Sequence, residues 1–166
     1  MTIEPINFAD PRQASALHGL QQAAYRAEAI LLGTTDFPPL RETLDELVSA
    51  AEATLGAWDG EHLCGAITYQ VSGHSIDLCK LIIDPSHFRL GLGSFLVWQL
   101  LHAFPGFPVA VTTGSRNTPA LRLYTKLGFS PRKTWIAKEG NALVMLVRSA
   151  DREEETPQEP WNARSM

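Results

Sequence analysis

Two tight-turn signals, Asp59-Gly60 and Gly73-His74, punctuate three strand-like runs: Thr54 to Trp58, Leu63 to Val71 and Ser75 to Ile83. Asp-Gly between apolar runs is a strong hairpin signal, because its central residues must reach positive φ. Runs joined this tightly become neighbours in antiparallel order. The middle of the chain therefore reads as a three-stranded meander, and Pro85 stops its third strand.

The flanks supply further strands and helices. Thr2 to Phe8 alternates apolar and polar residues and predicts a first strand. Asp10-Pro11 provides an N-cap and a favourable first helical position for a helix that continues from Ala14 to Leu32. Its apolar stripe is read as Leu17, Leu20, Ala24, Ile30 and Leu31, and Gly33 closes it. After the loop Thr34 to Pro39, a second helix is predicted over Leu40 to Ala53 with Leu44, Leu47 and Val48 inward. Beyond the meander come a helix from Ser94 to Ala103 and a short buried strand from Val109 to Thr113. A helix from Thr118 to Leu127 and an antiparallel pair, Lys133 to Lys138 with Leu143 to Val147, complete the set. This order predicts an α/β domain over residues 1–149, built on a mixed, mostly antiparallel sheet with helices on both faces. From Ala150 on, acids, prolines and few aliphatics read as a disordered acidic tail, in which Trp161 has no account.

At 166 residues and 45% hydrophobic, the chain is long enough for one self-sufficient core. Its two cysteines, Cys64 and Cys79, fall in apolar runs and read as buried free thiols. Neither has a histidine at finger spacing, so no zinc finger and no metal is expected. The N-terminus lacks a signal-peptide pattern and no run is long enough to span a membrane, which makes the cytoplasm the expected compartment. The charge distribution is sharper than the net −4 suggests. Met1 to Asp84 carries 12 acids and 4 bases, whereas Pro85 to Lys138 has no Asp or Glu and seven bases. A basic zone inside an acidic protein suits a compact polyphosphate ligand. A pI near 5.7 argues against nucleic acid.

The first half of that zone holds Phe88-Arg89-Leu90-Gly91-Leu92-Gly93-Ser94 between a strand and a helix. Glycines let a phosphate approach the backbone, and a helix N-terminus offers unpaired N–H groups. Taken alone the stretch also reads as a plain tight turn. A dinucleotide fingerprint would need glycine where Leu96 stands and a later acid; a P-loop would need Gly-Lys-Ser/Thr. The second half holds Asn117-Thr118-Pro119-Ala120-Leu121-Arg122-Leu123-Tyr124-Thr125-Lys126-Leu127-Gly128-Phe129.

Together the two motifs resemble the GNAT acetyltransferase superfamily, firmly from Ser75 to Phe129 and by element order to Val147. The resemblance implies acetyl-CoA as acyl donor and transfer to a primary amine, with a catalytically silent acyl-CoA sensor as the alternative. It places the pantetheine arm along the backbone of Leu81, Ile82 and Ile83, with Asn117 opposite. Arg89, Leu90, Gly91, Leu92, Gly93 and Ser94 would surround the pyrophosphate. The sequence departs from the family at Phe88, where Arg or Gln is frequent, and Arg89 is the neighbouring cation.

Tyr124 is the candidate acid, because a phenol keeps its proton at neutral pH and can assist a departing thiolate. It also reads as a core tyrosine packed with Leu121 and Leu127. For the base that deprotonates the incoming amine, Asp77 and Glu28 stand as alternatives. Strand alternation puts Asp77 on one face with Cys79, Leu81 and Ile83, while Glu28 lies late in the first long helix. A backbone N–H near Ile82 would serve the oxyanion. His74 and His87 fall in turns and are read as bystanders. The acceptor site is expected to draw on Tyr25, Glu28, Phe37, Pro38 and Tyr69, and the acidic N-terminal half suggests a cationic small-molecule or peptide amine. No Cys or Ser has a base beside it, so direct attack is expected without an acyl-enzyme. Homodimers are common among proteins that resemble this one.

Overall fold

The sheet runs β1-β2-β3-β4-β5-β7-β6, and every neighbouring pair is antiparallel except β4 with β5. Its strands are β1 (Thr2–Pro5), β2 (Thr54–Asp59), β3 (His62–Ser72), β4 (Ser75–Ile83), β5 (Val109–Gly114), β6 (Ser130–Ile136) and β7 (Ala142–Arg148). The helices are α1 (Pro11–Leu32), α2 (Leu44–Ala50), α3 (Leu92–Ala103) and α4 (Thr118–Lys126). This computed structural model describes residues 1–150, so the expected tail and Trp161 lie outside the described residues. Among the described residues, no helix is long and apolar enough to cross a membrane.

Apolar side chains cover both faces of the sheet. On one face α3 lays Leu92, Leu96, Val97 and Leu100 against Cys64, Ile67, Ile76 and Leu78. On the other, α1 and α2 bring Leu17, Leu20, Ala24, Tyr25 and Leu47 onto Trp58, Leu63, Ala66 and Ile82. The mixed α/β architecture with helices on both faces is therefore as the element order predicts. Asp10 caps α1 by accepting from the Arg12 amide at 2.9 Å, and Gly33 closes it in the left-handed region.

Two helix readings need correction. The second helix starts at Leu44 and not at Leu40, because Pro38–Arg41 forms a separate 3-10 turn and Thr43 with Glu46 makes a reciprocal capping box. Val48 is then outward, at 36% exposed. On α1 the buried face runs through Ala14, Leu17, Leu20, Gln21, Ala24, Tyr25 and Ala29. That phase turns Ile30 and Leu31 to solvent, with Ile30 80% exposed.

A β-bulge in the meander matters more for function. Thr68 of β3 pairs with Lys80, but the next residue, Tyr69, pairs with Leu78, so Cys79 is the extra residue on β4. Side-chain alternation therefore breaks at Cys79. Upstream, Ile76 and Leu78 face α3; downstream, Leu81 and Ile83 do so while Ile82 turns to α1. Cys64 is fully buried as expected, but Cys79 is an exposed thiol.

Candidate functional site

The parallel pairing of β4 and β5 is short: Ile76 with Val109, Asp77 with Ala110 and Leu78 with Val111. Beyond those pairs the strands diverge, β4 running on to Ile83 and β5 to Gly114. The inner edges past Leu78 and Val111 have no strand partner, so backbone donors and acceptors face a wedge-shaped gap. A cleft of about 300 Å³ opens there, between Leu78 to Leu81 on one side and Val111 to Gly114 on the other.

The ends of two helices furnish its chemistry. Asn117 caps α4 by accepting from the Ala120 amide at 3.3 Å, and its own amide donates to Glu28 Oε1 of α1 at 3.2 Å. Tyr124 lies two helical turns further along α4 and lines the same cleft. Its ring is 4% exposed and rests on Phe129 at 5.4 Å, but its hydroxyl makes no hydrogen bond among the described residues. Burial, reinforced by the Glu28 carboxylate, pushes the Tyr124 phenol far up, so it holds its proton. Burial also raises Glu28 above the ordinary carboxylate range, only partly offset by the Asn117 hydrogen bond. The site thus pairs a protonated phenol with a carboxyl whose affinity for a proton is enhanced.

Tyr25, Phe37 and Pro38 line the cleft mouth on the α1 side, and Tyr25 packs edge-on against Phe37 at 5.9 Å. Tyr69 is not brought there: its ring lies 5.5 Å from Phe104, because its side of β3 faces the α3 layer. Asp77 is exposed and does not line the cleft. The alternation that grouped it with Leu81 and Ile83 fails because the bulge at Cys79 intervenes.

The gap leads towards the glycine loop. β4 ends at Ile83, Arg89 and Leu90 form the turn, and Gly91 sits at φ 80 as the N-cap of α3. No side chain caps that helix, and its first internal bond runs from the Phe95 amide to the Gly91 carbonyl. The amides of Leu92, Gly93 and Ser94 therefore have no intrahelical acceptor, the arrangement that binds a phosphate. Leu123 from α4 closes over Gly93, where an added Cβ would stand 2.9 Å from Leu123 Cδ1. Arg89 also has positive φ, an unusual conformation for a side-chain-bearing residue.

Residues 17–129 match the acetyltransferase (GNAT) family. The chain belongs to that family. A curated relative, UPF0157 protein YqkA of Bacillus subtilis (strain 168), is 30% identical over 139 residues and covers 83% of this chain. The chain spans only 40% of that relative's length. Among solved structures, the ribosomal-protein-S18-alanine N-acetyltransferase of Escherichia coli superposes with a TM-score of 0.70 at 17% identity, over 94% of this chain and 97% of that one. The PaiA N-acetyltransferase of Thermoplasma acidophilum, solved with coenzyme A, gives 0.71 at 15% identity over 90% and 99%.

Members of this GNAT family use acetyl-CoA as acyl donor, and the groups present fit it: an uncapped helix N-terminus for phosphates and open strand edges for an extended arm. Several cleft residues escaped the sequence reading. Ala137, Glu139 and Asn141 arrive from the β6–β7 turn, and Lys80, Thr112 and Thr113 from the strands. Lys80 donates to Glu42 Oε2 at 2.9 Å, and Gln21 donates to the same oxygen at 2.7 Å. Only the positions of Lys80, Thr112 and Thr113 beside motif strands signalled them in advance.

Proposed function

We propose that this chain transfers an acetyl group from acetyl-CoA to a primary amine by direct attack within a ternary complex. The observation that carries this reading is the wedge between β4 and β5, bordered by Tyr124 and Glu28 and leading to the uncapped start of α3. Acetyl-CoA supplies the activated thioester. The backbone of Leu81, Ile82 and Ile83 would hold its pantetheine arm, with Asn117 opposite. Arg89, Leu90, Gly91, Leu92, Gly93 and Ser94 would hold its pyrophosphate.

Glu28 takes the base role in this reading. A carboxylate with raised proton affinity, set in the cleft beside Tyr25 and Phe37, is suited to accept the proton of an incoming ammonium. Tyr124 donates to the sulfur as the C–S bond breaks, so the departing thiolate leaves as a thiol. An unpaired N–H on the inner edge of β4 stabilises the oxyanion. Among the described residues no histidine lines the cleft, and Cys79 Sγ donates to the Asp77 carbonyl at 3.5 Å, so direct attack is preferred here to an acyl-enzyme on Cys79.

The acceptor is proposed to be a cationic amine. Of the charged side chains lining the cleft, Lys80 is already matched by Glu42, which leaves Glu28 and Glu139 to set the local sign. Calorimetric titration with acetyl-CoA, with ATP as comparison, tests the donor. Micromolar binding that clearly exceeds ATP is expected, and no heat at millimolar donor would overturn the reading. A panel of a polyamine, an aminoglycoside, an alanine-initiated peptide and neutral amines, followed by thiol release, then tests the acceptor class. Faster turnover of neutral amines would exclude the cationic preference.

A further inference from the structure

A second group of functional side chains lies away from the cleft, where β3 begins and the turn after β4 crosses it. One ring nitrogen each of His62 and His87 and the Sγ of Cys64 lie within 4.8 Å of one another. Zinc bound tetrahedrally at about 2.0–2.1 Å from nitrogen and 2.3 Å from sulfur spaces its donor atoms roughly 3.3–3.6 Å apart. Small side-chain rotations close that difference, and His62 is exposed and able to make them.

The backbone already fixes the three positions. The β3–β4 register pairs Gly65 with Ile83, which puts Cys64 opposite Asp84. The Asp84 amide donates to the Cys64 carbonyl at 2.8 Å, and the His87 amide donates to the Asp84 carbonyl at 2.7 Å.

Hydrogen bonds also set both imidazole tautomers. A carboxylate only accepts, so His62 Nε2 must be the donor to Asp84 Oδ2 at 2.8 Å, which in the neutral imidazole leaves Nδ1 with its lone pair. Ser86 Oγ donates its single proton to Asp84 Oδ1 at 2.8 Å. The 2.9 Å contact of Ser86 Oγ with His87 Nδ1 must then be donated by the ring, leaving Nε2 with its lone pair. One carboxylate, directly and through one hydroxyl, thus orients two imidazoles with a free nitrogen each. Carboxylate or hydroxyl partners on the far nitrogen are the usual outer shell of metal-binding histidines.

We infer that His62, Cys64 and His87 bind a thiophilic divalent ion of the zinc class, with Asp84 as the orienting outer-shell group. A sulfur and two imidazoles select zinc over magnesium or calcium, and three protein ligands leave a fourth position for water. The Cys64 thiol gives up its proton to solvent as the metal–sulfur bond forms. The bound ion would tie the start of β3 to the turn that runs into Arg89 and Gly91, stiffening the approach to the phosphate cradle.

The test uses the full chain after chelator treatment, titrated with Zn²⁺ by calorimetry and with Co²⁺ by absorption. One equivalent is expected to bind, with a thiolate-to-cobalt charge-transfer band. His62→Ala and His87→Ala should weaken binding by more than the roughly 10- to 100-fold that loss of an outer-shell partner costs, and Asp84→Asn by about that amount. Cys64→Ser should abolish the charge-transfer band, while Cys79→Ser should keep it. Because Cys64 is fully buried, the exposed His62→Ala variant, checked for native circular dichroism, carries the decision if Cys64→Ser does not fold. Absence of the charge-transfer band in the unmodified chain, or metal affinity unchanged in both His62→Ala and His87→Ala, overturns the proposal.

Discussion

Replacing Gly91 by valine tests whether the loop before α3 is a phosphate cradle or a turn. Gly91 sits at φ 80 and ψ 6 and is exposed. A β-branched residue is an outlier in that region, so the loop must leave it in the free protein. The amides of Leu92, Gly93 and Ser94 then no longer converge on one point. Forfeiting one hydrogen bond to a charged phosphate costs about 1.5–3 kcal/mol. Acetyl-CoA should accordingly bind roughly 10- to 150-fold more weakly, since each 1.4 kcal/mol is a factor of ten. Gly106 provides a matched control, with φ 81 and open space around an added Cβ. Gly106→Val carries the same conformational penalty far from the cleft and should leave the dissociation constant unchanged. The assay is calorimetric titration of both variants with acetyl-CoA, alongside their melting curves. If Gly91→Val binds the donor as tightly as the unmodified chain, the loop is only a turn and the cradle assignment fails.

Three further outcomes follow from the cleft, each measured with the panel amine that turns over fastest. Tyr124→Phe should lower kcat by roughly 10- to 100-fold, near the lower range for acid–base groups. It should leave the melting temperature undiminished, because the ring contacts with Phe129 persist and the hydroxyl has no partner to lose; an unchanged rate removes Tyr124 from the mechanism. Glu28→Gln should slow transfer by roughly 10²- to 10⁴-fold and abolish the rise in rate as pH passes the elevated Glu28 pKa. Since burial raises that pKa in the folded state, stability from the neutral carboxyl is present below the unfolded value near 4.3 and lost as pH rises through the folded one. The glutamine variant should therefore melt higher at neutral pH but not at pH 3, and equal melting at both pH values would contradict the buried carboxylate. Asp77→Asn, at an exposed position off the cleft, should change kcat by no more than about twofold, the scale of ordinary surface substitutions. A large loss would restore Asp77 as the base.

The meander was legible because its determinants are local: Asp59-Gly60 and Gly73 dictate turns whatever lies around them, and the strands they join fall within a few residues of expectation. The start of α2 was legible too, in the Thr43–Glu46 box, but the Leu40 to Ala53 periodicity obscured it. The burial phase of α1 was not, because apolar residues alone do not fix the helix's rotation: the phase that buries Tyr25 and Ala29 turns Ile30 and Leu31 outward. At the site, Asn117 and Tyr124 stand out by motif, and their spacing alone puts both on the cleft side of α4. Which of Asp77 and Glu28 lines the cleft lay beyond sequence. It turns on a single inserted residue in β4, and a bulge is a property of two paired strands and not of one. The same holds for Glu139 and Asn141, whose hairpin meets the cleft only through the pairing of β5 with β7.

The divergence of β4 from β5 has a consequence for the protein's own persistence. A sheet whose two middle strands are joined by three residue pairs is an incomplete sheet, and an extended ligand lying between them supplies the missing edge. A ligand that binds only the folded chain adds about 2.7 kcal/mol of stability at one hundred times its dissociation constant. Amide hydrogens on the inner edges of Cys79 to Ile83 and Thr112 to Gly114 should therefore exchange fastest in the empty protein and slow once the gap is filled. Donor supply would then set not only how fast this chain works but how long it survives unfolding and proteolysis.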